Sequence, residues 1–126
     1  MSTLLSIVEL GEYPDFNQLY RESGCEVEVL TSTRKAINHL KRYPVDIIVA
    51  EFNYQSDFRD RTSALESLLA ILQHNPETKA IIFVHREDID IFNTLIHRFP
   101  VFETLFYPID KVALRLAIGR ATDAVL

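Results

Sequence analysis

Apolar positions along the chain fall into two kinds of run that alternate from one end to the other. Dense stretches come at Leu4 to Leu10, Cys25 to Leu30, Val45 to Ala50, Ala80 to Val84 and Val101 to Tyr107. Between them, apolar residues return at helical spacing. Phe16, Leu19 and Tyr20 form the first such stripe, and Ala36, Ile37 and Leu40 the second. Leu65, Leu68, Leu69 and Leu72 follow, then Phe92, Leu95, Ile96 and Phe99. The dense runs predict strands and the spaced ones predict amphipathic helices. Punctuation supports the division. Gly24 suits the left-handed position after a helix, and Thr31-Ser32-Thr33 is N-cap material for a second helix that Pro44 stops. Ser63 and Glu66 have capping-box spacing for a third helix ended by Asn75-Pro76. Asp88 is placed to cap a fourth, which Pro100 ends, and a last helix starts near Ile109.

Five strand–helix units of this kind cannot pair as hairpins. Their strands lie parallel and are joined by right-handed crossovers that cover both sheet faces with helices. The expected architecture is an α/β, flavodoxin-like, doubly wound (βα)5 sandwich with strand order 2-1-3-4-5. Val45 to Ala50, with one early acid, reads as its central strand, buried on both faces. In such a sheet ligands gather outside the carboxyl ends of the strands, which points to the residues just after strands one, three and four.

Composition narrows the function. At 126 residues, 48% hydrophobic and 25% charged, the chain is one globular domain. Its net charge of −5, with acids and bases interspersed, argues against nucleic acid or anionic lipid as a partner. The one cysteine, Cys25, forms no internal disulfide and reads as a small core residue. The first ten residues have no signal-peptide pattern and no run reaches the length of a membrane span, so a cytoplasmic location is expected. No GxGxxG, Walker or GxSxG pattern occurs, and no catalytic residue is assigned. His39, His74 and His97 read as solvated helix residues.

Two stretches carry a family resemblance. Ala36-Ile37-x-x-Leu40, followed by Tyr43-Pro44-Val45-Asp46-Ile47-Ile48-Val49-Ala50, resembles the second helix and third strand of response-regulator receiver domains of two-component signalling. Tyr107-Pro108-Ile109-Asp110 is similar to the lysine-proline turn before their last helix. In that family a strand-three aspartate takes a phosphoryl group, acids after strand one hold Mg²⁺, a hydroxyl residue ends strand four and a lysine ends strand five. Here the resemblance puts Glu51, the pair Glu9-Leu10, His85 and Tyr107-Pro108 at those places. The implied function is a pseudo-receiver that no longer takes phosphate and works by binding a signalling or regulatory protein. Glu51 is one methylene too long for the attack position. Mg²⁺ would have to find ligands among Glu9, Glu51 and Glu12, so no cofactor is expected. A contact from Glu51 to His85 or Arg86 is a way to hold an activated-like shape.

Other readings stay open beside it, first among them a receiver that keeps a weak response to metal or acyl phosphate. His85, Glu51 and Glu9 are residue types that bind transition metals, and flavodoxin-like sheets also host enzymes. For recognition, Phe52, Tyr54 and Phe58 lie among Arg59 and Arg61 in a long connection, residue types that dominate binding surfaces, with Phe52 and Tyr54 alternatively folding over the pocket. On the last helix, a stripe at Val112 and Leu116 is expected to face the core, leaving Leu114, Ile118, Ala121 and Val125 outside it. Receiver domains commonly pair through helix four, strand five and helix five. That resemblance implies a homodimer with Ile89, Ile91, Leu114 and Ile118 at the interface.

Overall fold

Residues 2–52, 59–97 and 99–125 are described by a computed structural model. The dense runs form the strands β1 (Ser2–Ile7), β2 (Cys25–Leu30), β3 (Ile47–Glu51), β4 (Lys79–Val84) and β5 (Glu103–Phe106). The spaced runs form the helices α1 (Asn17–Glu22), α2 (Thr33–Leu40), α3 (Arg59–Leu72), α4 (Ile89–Ile96) and α5 (Lys111–Val125). All four strand pairings are parallel and the order is β2-β1-β3-β4-β5, as the alternation of patterns predicts.

Because successive strand residues point to opposite faces, the core divides in two. Ile48, Ala50, Ile82 and Val84 pack under α2, α3 and α4 with Ala36, Leu65, Leu68, Leu69 and Phe92. Ile47, Val49, Ile81 and Phe83 pack under α1 and α5 with Leu19, Tyr20, Leu114 and Ile118. Every residue of β3 is buried, the signature of a central strand covered on both faces. The early acid of that run, Asp46, ties the bottom of the sheet together. Its Oδ2 accepts from the Thr3 amide at 2.9 Å, and its own amide donates to the Thr3 hydroxyl at 3.1 Å. Cys25 is buried at the start of β2, where desolvation, and secondly the charge of Asp46, push its thiol up from the ordinary value.

Side-chain caps set the starts of two helices. Ser32 accepts from the Lys35 amide at 3.1 Å and starts α2, and Asp110 accepts from the Ala113 amide at 3.0 Å and starts α5. Three expectations change. Helix α3 already runs at Arg59, so Ser63 lies within it and is not its cap. Asp88 ends a 3-10 turn, Arg86–Asp88, that runs directly into α4. Strand β1 stops at Ile7, three residues earlier than the apolar run, because the following backbone turns inward.

The largest correction concerns α5. Leu114 and Ile118, expected at an interface, are fully buried, whereas Val112 and Leu116 are 60% and 57% exposed. Leu114, Ala117, Ile118 and Ala121 repeat at i, i+3, i+4 and i+7, a complete helical face whose two alanines let the helix lie close on the sheet. Val112 and Leu116 are only the i and i+4 fragment of a neighbouring face. Leu114→Ala is therefore expected to cost about 2–4 kcal/mol, and Leu116→Ala to stay within about 0.5 kcal/mol of the parent. Urea unfolding followed by circular dichroism checks this, and equal costs at the two sites would contradict the orientation.

Candidate functional site

Glu51 is the last residue of β3, and its side chain is buried to 3% exposure. A buried carboxylate needs hydrogen-bond donors. They come from the chain leaving β1. The Val8 amide still bonds the Leu30 carbonyl at 2.8 Å, and then the backbone curls over the tip of β3. The amides of Glu9, Leu10 and Gly11 donate to the Glu51 carboxylate at 2.8, 3.2 and 3.3 Å, and the Tyr13 hydroxyl donates at 3.1 Å. Successive amides converging on one anion make a nest, which places positive backbone dipoles around the charge. The curl requires Gly11 at φ +67°, a conformation strained for any residue with a Cβ, and an added Cβ would also meet Val8 Cγ1 at 3.3 Å.

The Glu9 carboxylate is engaged elsewhere. It accepts from the hydroxyl of Thr33, a buried residue in the first turn of α2, at 2.6 Å. The acid after β1 therefore ties the nest loop to α2. Residues expected to offer oxygens to Mg²⁺ do not fit that ion, because polarised N–H and O–H groups stand against Glu51 where a cation would sit. Among the described residues, no group of three or more His, Cys, Asp or Glu side chains is placed to hold a metal.

Aromatic rings roof the cleft. Tyr13 meets Phe83 edge-on at 4.9 Å and lies parallel to Phe16 at 6.0 Å. Tyr107, at the position the resemblance gives to lysine, lies 6.3 Å from Tyr13 and stacks on His85 at 4.1 Å. The His85 Nε2 is 3.2 Å from a Glu12 carboxylate oxygen. Arg86 lies over the Phe106 ring at 5.1 Å. The partners seen for Glu51 are thus on the loop after β1, and the expected contact to His85 or Arg86 is replaced by His85–Glu12 and Arg86–Phe106. Pro108 follows Tyr107 through a cis peptide bond and is exposed.

Burial raises three phenols above the ordinary 10.0: Tyr13, Tyr20 and Tyr107. For Tyr13 and Tyr107 the negative charge of Glu51 adds to the desolvation, and for Tyr20 that of Asp15 does.

Of the residues singled out by pattern, Glu9, Glu51, His85 and Tyr107 do come together at the strand tips. Phe52 does not serve a surface: it is buried against Phe92, ring centroids 5.2 Å apart, because it follows Glu51 directly and turns into the core under α4. Tyr54 and Phe58 lie outside the described residues. Ile91 is 41% exposed and Ile89 half-buried. His39 is not a solvated residue but pairs with Glu28 at 2.9 Å, its side chain only 16% exposed. Tyr13, Gly11 and Thr33 were not apparent from pattern. The one available signal was a lone glycine shortly after the first strand, with an acid at the end of the third.

The fold defines a class. The chain is similar over 98% of its length to a response-regulator receiver domain from Clostridium thermocellum, at 19% identity, 95% coverage of that chain and a TM-score of 0.74. It is similar along its whole length to the receiver domain of the Francisella response regulator 1452, at 16% identity, full coverage and a TM-score of 0.74. A streptococcal member of a family of redox sensors evolved from two-component response regulators matches 98% of the chain over 53% of its own length, at 18% identity and a TM-score of 0.72. No protein-family model matches the sequence. No curated protein matches it either. The chain has the receiver fold. Among the described residues no helix is long and apolar enough to cross a membrane.

Two outcomes test the site. Glu51→Ala strands three amides and a phenol and is expected to cost about 3–5 kcal/mol, with Glu51→Gln, which keeps one acceptor oxygen, costing about 1–3 kcal/mol. A denaturation midpoint unmoved by Glu51→Ala would show that the nest does not hold the loop. The raised phenols also fix a pH dependence. Each keeps its proton longer when folded, so their contribution is complete below the unfolded value near pH 10 and is lost as pH climbs past it. The urea midpoint should fall between about pH 9 and pH 11, less steeply in Tyr13→Phe.

Proposed function

We propose that the chain is a pseudo-receiver: a non-enzymatic protein-interaction module of cytoplasmic signal transduction that works without phosphorylation at the β3 tip. One observation carries this reading: the Glu51 carboxylate is buried and already saturated with donors from the loop after β1. A phosphoacceptor must present a free carboxylate to an anionic donor, with cations to take up the charge of the transferred group. Glu51 is turned away from that task, Glu9 is held by Thr33, and a phenol in Tyr107 stands in the lysine's place.

Such a module has to signal by contact, and the exposed apolar residues of α4, β5 and α5 supply the surface. Val112, Leu116 and Arg120 follow one another at i, i+4 and i+8 along α5, and Arg120 reaches Glu103 on β5 at 3.0 Å. The stripe therefore runs along the β5 edge. Phe102 at the entry to β5 and Ile91 on α4 add to it. A homodimer through this face replaces Leu114 and Ile118, which are core, by Val112 and Leu116.

Incubation with acetyl phosphate and Mg²⁺, followed by intact-mass measurement, is expected to leave the mass unchanged. A single addition of about 80 Da would instead establish a receiver that still responds to acyl phosphate. Sedimentation equilibrium at micromolar concentration should give a dimer that Leu116→Arg converts to a monomer of unchanged thermal stability. A wild-type monomer would remove the proposed interface.

A further inference from the structure

Four of the 13 lysines and arginines share one stretch that holds no acid. No acid stands between Glu28 and Asp46, while Arg34, Lys35, Lys41 and Arg42 all lie in that stretch, so the remainder of the chain is more acidic than the −5 total. All four are exposed on α2 and the turn after it. None of them has an acidic side chain at ion-pair distance among the described residues; the Lys35 ammonium lies 3.2 Å from the Thr31 hydroxyl. The nearest acid on the neighbouring strand, Glu28, is taken by His39.

The placement runs against helix stability. Lys41 and Arg42 suit the negative end of the α2 dipole, but Arg34 and Lys35 occupy its first turn, where acids are favoured and none is present. A fold with 18 acids had the means to neutralise this helix and has not done so. Three of the four cations also border a concavity. Lys35, Asn38, His39, Lys41, Arg42 and Tyr43 line an open groove of about 660 Å³. Tyr43, 60% exposed, forms its rim beside His39, with ring centroids 5.4 Å apart. Past Tyr43 a second groove of about 450 Å³ leads toward Pro44 and Val45, but Glu26 and Glu28 line it, so the acidic segment is confined to the first groove. The Nδ1 of His39, in the wall between the two, is buried with no hydrogen-bond partner among the described residues.

We propose that α2 and the turn after it form a docking site for an acidic segment of a partner protein carrying one apolar or aromatic residue. The four cations take the carboxylates, and the Tyr43 face takes the apolar residue. Charge complementarity selects this occupant. A nucleic acid or an anionic membrane extends its charge over a surface much larger than the patch and meets the acidic remainder of the chain. A short acidic segment confines its charge to α2. The platform is stiff, because the buried Thr33 fixes the first turn of α2 to Glu9. This site lies on the β2 side of the sheet and is independent of the β5-edge dimer.

The test is a titration of the full chain with a short synthetic peptide of aspartates and glutamates around one phenylalanine, read by backbone amide NMR. The shifts should fall on residues 32–44. Lys41→Glu with Arg42→Glu should weaken binding about tenfold, as should raising salt from about 50 to about 200 mM. Arg21→Glu with Arg115→Glu, exposed on α1 and α5 on the other face of the sheet, should leave affinity unchanged. Lys41→Ala with Arg42→Ala repeats the measurement should the reversal disturb folding. The proposal is overturned if the shifts lie elsewhere, if both charge-reversal pairs weaken binding equally, or if a Gln/Asn version of the peptide binds as well. Tighter binding of a single-stranded oligonucleotide or of phosphatidylserine vesicles would also overturn it, assigning the patch to a polyanion.

Discussion

A carboxylate removed from water at the tip of a central strand must be matched, and the rest of this molecule's upper surface follows from how Glu51 is matched. The extra methylene of glutamate carries the charge across the cleft to the chain emerging from β1, where backbone amides are the nearest donors. To present three of them in succession, the chain has to leave the β ladder at Ile7 and pass through a left-handed glycine at Gly11. The same curl delivers the Tyr13 hydroxyl to the carboxylate and the Tyr13 ring to Phe83, and sends the Glu9 side chain outward to Thr33. One charge thereby positions a loop, an aromatic roof and the first turn of α2.

This arrangement bears on dynamics. Switching needs two states separated by a few kcal/mol and a ligand that favours one of them. Hydrogen bonds to a charged group contribute about 1.5–3 kcal/mol each, so several of them closing on Glu51 bias the loop after β1 strongly toward a single shape. The amides of that loop turn their positive ends toward Glu51. Backbone amides and the Tyr13 phenol match the negative charge of Glu51 locally, by groups that carry no net charge of their own.

The architecture was largely legible in the sequence because periodicity reports burial. Five runs with period two or continuous apolar character, separated by helical stripes, leave one reasonable sheet, and the β3 run announces its central position through residues buried on both faces. The site was legible only as a set of places. Glu9, Glu51, His85 and Tyr107 do gather, but which of them touch was hidden, since the donors to Glu51 are mostly backbone amides and leave no residue-type signature apart from Gly11. Helix α5 was misread for a different reason: both of its apolar lines have helical spacing, and alanine at 117 and 121 carries little weight in a pattern although it decides how closely the helix packs. The charge asymmetry was missed because a net total averages over surface. Arg34, Lys35, Lys41 and Arg42 are spread across nine positions of sequence yet fall on one short helix and its turn.

The two proposed surfaces belong together through the topology. With β2 at one edge of the sheet and β5 at the other, a dimer closed along the β5 edges leaves the two α2 helices at its far ends. Each copy would then hold out one basic groove, unobstructed by the dimer contact. A partner with two acidic segments could engage both, and the second contact would be intramolecular, so modest affinity at each groove would be multiplied when linker length suits the span. The nest holds the first turn of α2 through Glu9 and Thr33, so each groove rests on a fixed helix. Control would then rest on how many copies are paired and on whether the partner's acidic segments are exposed.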